Sequence, residues 1–146
     1  MGRARYSVPD EIKDTVESFY RAVSNKNLKA IDATWAQVPY ASVAGRSGDL
    51  RQGWTQVRGY WETRFRQLGP IRVVVRLKRP VVHAIGDVAW VSGTEIRTLT
   101  EGESVRQEQL RMTAVFERRG THWQIVSYHA SEPADAAGAA ATELSA

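Results

Sequence analysis

The chain has 146 residues, 42% of them hydrophobic and 25% charged, which is typical of a globular protein with one domain and a single core. It contains no cysteine, which excludes disulfides and thiolate chemistry. The formal net charge is +4, but the basic residues are scattered and often stand beside acids, so the sequence does not predict a nucleic-acid partner.

Two helices are predicted near the start of the chain. Residues 1–8 are interpreted as an N-terminal extension. Residues 9–24 carry apolar side chains at helical spacing, Pro9 suits the first turn of a helix, and the acids that follow it stand where the helix dipole favours them. A short second helix follows, in which three apolar residues share one face: Leu28, Ile31 and Trp35.

A short strand, a loop and a third helix come next. Residues 40–44 can form a strand, because Pro39 ends the preceding helix, and residues 45–49 are rich in glycine and predict a loop. Residues 53–68 are predicted to be helical. The apolar stripe of this helix consists of Trp54, Val57, Trp61, Phe65 and Leu68.

Strands are predicted throughout the second half of the chain. Residues 71–85 alternate in polarity, and Pro80 within them indicates an edge strand or a bulge. Further strands are predicted at residues 88–99, 105–117 and 123–128. Gly120, in the turn before the last of these strands, gives the backbone freedom that a tight hairpin requires.

This order of elements predicts an α+β domain over residues 9–133. Three N-terminal helices packed on a curved, mostly antiparallel sheet would form a cone-shaped barrel, whose open mouth suits a small molecule. Residues 134–146 are small and polar and are predicted to be a disordered tail. The apolar runs are too short to span a bilayer and no signal peptide is recognisable, so a cytoplasmic protein without membrane contact is predicted.

Three motifs stand out: G-W-x-x-V-R-x-Y-W-E at residues 53–62, V-x-H-A-I-G-D at residues 81–87 and W-Q-I-V-S-Y-H-A-S at residues 123–131. With the order of elements, they resemble the SnoaL-like branch of the nuclear transport factor 2-like (NTF2-like) superfamily. The layout is also similar to the association domain of calcium/calmodulin-dependent kinase II. The resemblance implies the cone fold and a homodimer, or a higher oligomer, formed through the outer face of the sheet. It does not choose between enzymes and binding modules, because the superfamily contains both.

The resemblance also implies a kind of pocket. The association domain has a cationic pocket made of arginines and a histidine. The matching positions in this chain are Val57, Thr94, Ala114 and Ala130, and none of them is basic. A neutral and more apolar pocket is therefore expected.

The same register, carried over from the resemblance, implies which side chains face the cone. Hydroxyl groups that converge in an apolar cavity would orient a carbonyl or hydroxyl ligand. The predicted ligand-binding residues are Tyr20, Trp35, Tyr40, Trp61, Trp90, Ser92, Met112 and Tyr128. Core packing is the alternative role for the aromatic residues among them.

The sequence shows no clear catalytic dyad. Chemistry of the ketosteroid-isomerase type requires a carboxylate base inside the cone and acidic donors at an oxyanion. Strand parity predicts that Glu95 faces outward and that Glu108 faces inward, near the end of its strand. The candidates for catalysis are Tyr128, Asp32 and His129. His129 would act as a base only if the parity of its strand were shifted by one residue.

The other face of the last two strands is predicted to be an oligomer interface. Its residues alternate with those that face the cone: Arg111, Thr113, Ile125, Ser127 and His129. The three histidines of the chain are too far apart for a metal site, and no glycine-rich phosphate loop is present, so no metal or cofactor is predicted.

Three functions are compatible with the sequence. The first is a homodimeric protein that binds a small, largely apolar molecule in its cone without a clear catalytic dyad. The second is a cofactor-free isomerase, cyclase or dehydratase that acts on a small apolar substrate. The third is an oligomerisation module without a ligand, which a cone packed solid by tryptophans would favour.

Overall fold

The computed structural model describes residues 7–46 and 49–133. The helices are α1 (Val8–Ser24), α2 (Leu28–Thr34) and α3 (Trp54–Leu68). The strands are β1 (Ser42–Ala44), β2 (Leu50–Gln52), β3 (Arg72–Ile85), β4 (Val88–Glu101), β5 (Ser104–Arg119) and β6 (His122–Ser131). The predicted tail, most of the predicted extension and two residues of the predicted loop lie outside the described residues.

Helix α1 begins with a capping box. The Ser7 hydroxyl accepts a hydrogen bond from Asp10 N at 3.3 Å, and the Asp10 carboxylate accepts one from Ser7 N at 3.4 Å. These bonds satisfy backbone donors that a helix start leaves free, and Pro9 has no N–H to satisfy. The helix therefore starts at Val8, one residue earlier than predicted, and the predicted extension supplies its cap.

The six described strands form one curved, open sheet in the order β2-β1-β6-β5-β4-β3. Strands β1 and β6 are parallel, and the other neighbours are antiparallel. The predicted α+β class and the meander of the last four strands are confirmed, although the sheet does not close into a barrel. Strand β2 was not predicted, because its three residues show no apolar alternation.

Two irregularities lie where the sequence predicts them. Strand β3 has a bulge between Lys78 and Val81, and Arg79 within it has a φ of 54°. Pro80 has no backbone N–H, and it fits this site because a residue in a bulge of an edge strand does not have to donate a hydrogen bond to the neighbouring strand. Gly120, in the turn from β5 to β6, has a φ of 68°, which an L-residue adopts only with strain.

The core lies between the helices and the inner face of the sheet, where α1 packs against α2, β3 and β6. Helix α1 contributes Ile12, Val16, Phe19, Tyr20 and Val23 to the core. Helix α3 contributes Val57, Trp61, Phe65 and Leu68. Strand β5 contributes Leu110, Met112, Ala114 and Phe116, the alternate residues that the sequence predicts to face inward.

The predicted facing of β4 is wrong by one residue. Ala89 and Val91 are buried in the core, whereas Trp90 is half-buried and Ser92 is exposed on the outer face. Because side chains alternate along a strand, this shift turns Glu95 from the predicted outer face to the inner face. The inward row of β4 contains small and charged residues, so hydrophobicity does not identify it as the core face.

A bulge also changes the facing of β6. Val115 pairs with Ser127 but Phe116 pairs with Ile125, so Val126 is the extra residue. Ile125 is consequently completely buried in the core. Its predicted place in an outer interface is wrong, because a strict period of two does not continue through a bulge.

Candidate functional site

Four polar side chains form a buried network inside the sheet. Glu95 is completely buried, and both of its carboxylate oxygens accept hydrogen bonds. Tyr20 Oη donates to Oε2 at 2.8 Å, Arg97 Nε donates to Oε1 at 2.8 Å, and Tyr128 Oη lies 2.8 and 2.7 Å from the two oxygens. Arg97 Nη2 also donates to Tyr128 Oη at 3.2 Å. These four residues are called the Glu95 network below.

Three elements of the fold assemble this network. Glu95 and Arg97 are two residues apart on β4, so both side chains point to the same face. Tyr128 comes from β6 and Tyr20 comes from α1. A buried ion pair compensates its lost hydration only when its hydrogen-bonding groups are satisfied, and here the two tyrosines complete the shell of Glu95. The network therefore fixes the position of the Arg97 guanidinium.

Burial determines the protonation of the tyrosines. Burial, and then the negative charge of Glu95, raise the pKa of Tyr20 and of Tyr128 well above the ordinary tyrosine value. Burial alone would lower the pKa of Arg97, but Tyr128 and Glu95 outweigh that effect and raise it. Near neutral pH both hydroxyls are therefore protonated donors, and Arg97 is charged.

Aromatic rings fill the space around the network. The Phe19 ring packs edge-on against Trp61 and Tyr128, with centroid distances of 5.4 and 5.1 Å. The gap left among these side chains has a volume of about 20 Å³, which is room for about one water molecule. The inner cone in this structure is therefore too full for a larger ligand.

An open cleft of about 690 Å³ lies beside the network, with walls from α3, β4 and β5 and from Arg46, Asp49 and Arg51. The arginines that line it are Arg46, Arg51, Arg64, Arg97 and Arg106. The acidic residues that line it are Asp49, Glu108 and Glu132. Five cations against three anions leave the cleft with an excess of positive charge.

The prediction of a neutral, apolar pocket is wrong for this cleft. Val57, Ala114 and Ala130, three of the positions matched to the cationic pocket, are buried in the core. The positive charge comes instead from other positions, including Arg97, which the predicted facing of β4 had turned outward. Leu68, Ile71 and Leu99 supply an apolar part of the lining.

Arg64 and Tyr60, both on α3, bring polar groups to the cleft without a partner of their own. Among residues 7–46 and 49–133, neither side chain forms a hydrogen bond or an ion pair. Burial, and then repulsion from Arg97, lower the pKa of Arg64. Burial raises the pKa of Tyr60, so its hydroxyl is a neutral donor at physiological pH. Two neighbouring guanidinium groups and a hydroxyl donor suit the oxygens of an anion.

Glu108 and Arg46 form another part of the wall. Arg46 Nη1 binds Glu108 Oε2 at 2.6 Å, and Arg46 Nε binds Glu132 Oε2 at 2.7 Å. Glu108 lies on the inner face, as its strand parity predicts. Because Arg46 is shared between two carboxylates, it neutralises only part of their charge.

Five of the predicted ligand-binding residues lie inside the fold but not in the wall of the cleft. Tyr20 and Tyr128 belong to the Glu95 network, and Trp61 packs on Tyr128 with a centroid distance of 5.9 Å. Trp35 and Met112 are buried in the core. Packing and the support of the network are thus the roles that the structure gives them.

The other three predicted ligand-binding residues do not face the inner cone. Tyr40 is 55% exposed, and its hydroxyl donates to Glu117 at 2.7 Å. Trp90 stacks on His83 at the outer face, with a centroid distance of 5.6 Å, and Ser92 is exposed on the same face. The predicted orientation of these three side chains is wrong.

The catalytic candidates are separated in the structure. Asp32 binds Arg58 at 2.8 Å, which gives it a structural partner between α2 and α3. His129 is exposed on the outer face of β6, away from the cleft. Tyr128 lies beside Glu95, but both carboxylate oxygens of Glu95 already accept hydrogen bonds. Asp32, His129 and Tyr128 therefore do not form an acid–base pair with one another.

The outer face presents most of the residues predicted for an interface. Arg111, Thr113 and His129 are exposed there. Ser127 is half-buried and its hydroxyl lies 2.9 Å from that of Ser42, so it joins β6 to β1. Arg111, Thr113 and His129 are therefore accessible to a second molecule, and the role of this face in assembly stays a prediction.

Sequence reasoning missed Glu95 and Arg97. A usable signal was present, since an acid and an arginine two residues apart in the middle of a long β-run must share one strand face. If that face is the core face, the two charges pair with each other. The tyrosine partners, however, come from distant parts of the chain.

The sequence model of the SnoaL-like domain family matches residues 12–135. The chain belongs to the SnoaL-like family. The match includes the Glu95 network and the whole of α3, β4 and β5, so it covers the main elements that build the cleft. The SnoaL-like resemblance predicted from the sequence is confirmed. No curated protein matches the chain.

Solved structures share the fold of this SnoaL-like chain at low identity. A provisionally named dehydratase of the NTF2-like family from Streptomyces avermitilis has a TM-score of 0.77 at 18% identity, and the match covers 85% of this chain and 95% of that one. An NTF2-like superfamily protein from Salmonella enterica serovar Typhimurium has a TM-score of 0.73 at 20% identity, covering 86% and 91%. A provisionally named calcium/calmodulin-dependent kinase II association domain from Thiobacillus denitrificans has a TM-score of 0.69 at 22% identity, and the match covers 82% of this chain and 92% of that one. They establish the NTF2-like fold and not an activity.

Two further properties concern membranes and metals. Among the described residues, no helix has the length and apolar character needed to cross a membrane. Within the same part of the chain, no group of three or more His, Cys, Asp or Glu side chains is placed to hold a metal ion.

Proposed function

We propose that this SnoaL-like protein binds a small anionic molecule in its arginine-lined cleft and recognises it through a carboxylate. The observation that carries the proposal is the state of Arg64. It has no ion-pair partner among the described residues and lines the same cleft as Arg97, and burial, followed by repulsion from Arg97, lowers its pKa. A carboxylate between the two guanidinium groups would remove this repulsion and replace the lost hydration.

The rigidity of the site also supports this function. Glu95 and Tyr128 already hold the Arg97 guanidinium, so little side-chain entropy is lost when an anion binds to it. Leu68 and Leu99 line the same cleft and would contact an apolar part of the ligand. A small carboxylate with an apolar body thus replaces the neutral ligand that the sequence predicts.

Calorimetric titration with phenylacetate and 3-phenylpropionate tests this function. Arg64→Met should weaken binding about tenfold or more, because a charge-assisted contact is removed. Arg66→Met is the matched control, since Arg66 is exposed on the same helix, pairs with Glu62 at 3.9 Å and does not line the cleft. Failure of both acids to bind, or equal affinity in Arg64→Met and the wild type, would contradict the proposal.

The protein is further proposed to act as a homodimer that associates through the outer face of the sheet. Thr113 and His129 are exposed on that face, and the neighbouring Val81 and Val88 are 55% and 40% exposed. Apolar groups exposed together with polar ones are typical of protein interfaces. Sedimentation velocity should show a dimer that Thr113→Lys dissociates, whereas Ser18→Lys, at an exposed position of α1, leaves it intact. A monomeric wild type would exclude this assembly.

A further inference from the structure

Arg97 and Glu108 are direct cross-strand partners in the β4–β5 ladder, and both line the cleft. Opposite charges at such positions normally attract one another and pair. Here Arg97 pairs with Glu95, Glu108 pairs with Arg46, and the two cross-strand partners form no ion pair with each other. A cation and an anion are thus held apart on neighbouring strands of the same cleft.

Glu108 also has an oxygen without a partner. Its Oε2 binds Arg46, whereas its Oε1 is buried and forms no hydrogen bond to any residue that the structure describes. A buried carboxylate oxygen without a donor is unfavourable, and native proteins normally provide one. Because Glu108 lies in the wall of the cleft, the cleft is where a molecule carrying that donor would bind.

We infer that the ligand of the cleft is a hydroxy carboxylate, whose carboxylate binds Arg64 and Arg97 and whose hydroxyl donates to Glu108 Oε1. This inference rests on the proposed function and adds the second recognised group. A hydroxyl suits this position better than an ammonium group, because Arg46 and Arg106 line the same cleft and would repel a further cation.

Pairs of acids that differ by one hydroxyl test the inference. Phenylacetate is compared with mandelate, and 3-phenylpropionate with both 3-phenyllactate and 3-hydroxy-3-phenylpropionate. At least one hydroxy acid should bind the wild type roughly tenfold more tightly than its parent, because the new hydrogen bond has a charged acceptor. Titration calorimetry gives the affinity ratio of each pair.

Substitutions assign this preference to Glu108. Glu108→Leu should abolish the advantage of the hydroxy acid, and Glu108→Gln should reduce it. The affinity ratio within each pair is the readout, because the loss of a negative charge from the cleft raises the affinity for both acids alike. Glu132→Gln is the control, because Glu132 also pairs with Arg46 and lines the cleft but is exposed. If Glu108→Leu does not fold, a preference that falls in Glu108→Gln but not in Glu132→Gln would suffice.

The results separate the two proposals. If the parent acids bind and no hydroxyl position improves affinity, a water molecule satisfies Glu108 and the inference is wrong, while carboxylate binding stands. A preference that persists without Glu108 also overturns the inference. If neither the parent acids nor the hydroxy acids bind, the proposed function itself is wrong and the inference falls with it.

Discussion

Tyr20 Oη donates a 2.8 Å hydrogen bond to Glu95 Oε2, which joins two residues that are 75 positions apart in the chain. The bond connects α1 directly to the centre of β4. Both groups are buried, so this contact is protected from competing water. It therefore helps to hold the first helix against the sheet as well as to complete the shell of a buried carboxylate.

Removal of the Tyr20 hydroxyl should destabilise the fold. Tyr20→Phe leaves the ring in the core but removes one donor from Glu95, so we expect a loss of about 1–3 kcal/mol in the free energy of unfolding. Tyr40→Phe is the matched control, because Tyr40 donates to Glu117 at 2.7 Å on the exposed surface. Urea denaturation at neutral pH should show a clearly smaller effect for the control, and similar losses would mean that burial does not strengthen the bond.

The contribution of Tyr20 should decrease at alkaline pH. Its pKa is raised by burial, so the folded protein retains a proton that the unfolded chain loses above the ordinary tyrosine pKa of about 10. The stabilisation is therefore complete below about pH 10 and declines as the pH rises further. The difference in unfolding free energy between the wild type and Tyr20→Phe should shrink by about 1.4 kcal/mol per pH unit there. A difference that stays constant up to the alkaline limit of reversible folding would contradict the assignment.

The fold was largely readable from the sequence because its signals are local. The first turn of α1 at Pro9, the apolar stripe of α3, the bulge at Pro80 and the hairpin at Gly120 each arise from residues close together in the chain. The candidate site was not readable in the same way. The charge of Glu95 becomes compatible with burial only through Arg97 and two tyrosines on other elements, which a pattern along one strand does not reveal.

Parity errors had different causes in two strands. Along β4 the register implied by the resemblance placed Trp90 inward. Hydrophobicity did not correct this error, because the inward row includes Ala89 and Gly93 whereas Trp90 lies in the outward row. Along β6 the bulge at Val126 reversed the alternation, which turned Ile125 into the core. Because a one-residue error flips a whole strand, the error in β4 also left Arg97 out of the predicted pocket, whose neutral character had been inferred from the positions matched to the association domain.

Removal of the charge at Arg97 and at Arg64 should have different effects on the free energy of unfolding. Arg97→Met leaves Glu95 buried without its cation, and we expect a loss of about 3–5 kcal/mol in the free energy of unfolding. Arg64→Met removes a partly desolvated cation that repels Arg97, so stability should be unchanged or higher. Urea denaturation of the two variants measures this contrast. Equal destabilisation by both would show that pairing with Glu95 is not what distinguishes them.

The position of Tyr60 in the cleft should depend on Gly45. A Cβ at Gly45 would lie only 2.0 Å from Tyr60 Oη, so Gly45→Ala must displace that hydroxyl. The affinity for a carboxylate should fall about fivefold, because one neutral hydrogen-bond donor is lost. Some folding stability should be lost as well, since the same Cβ would lie 2.9 Å from Tyr60 Cζ, and the ring, which packs edge-on against Trp61, must shift with its hydroxyl.

Gly59→Ala provides the control for this change, since a Cβ at Gly59 would meet no atom within 4 Å. Gly59 lies inside α3, where alanine is the better helix former, so the protein should gain about 0.5–1 kcal/mol of stability and retain its affinity for the acid. Thermal unfolding and calorimetry on both variants separate the two effects. If Gly45→Ala binds the acid as well as Gly59→Ala does, the Tyr60 hydroxyl does not contact the ligand, and the arginines alone recognise its carboxylate.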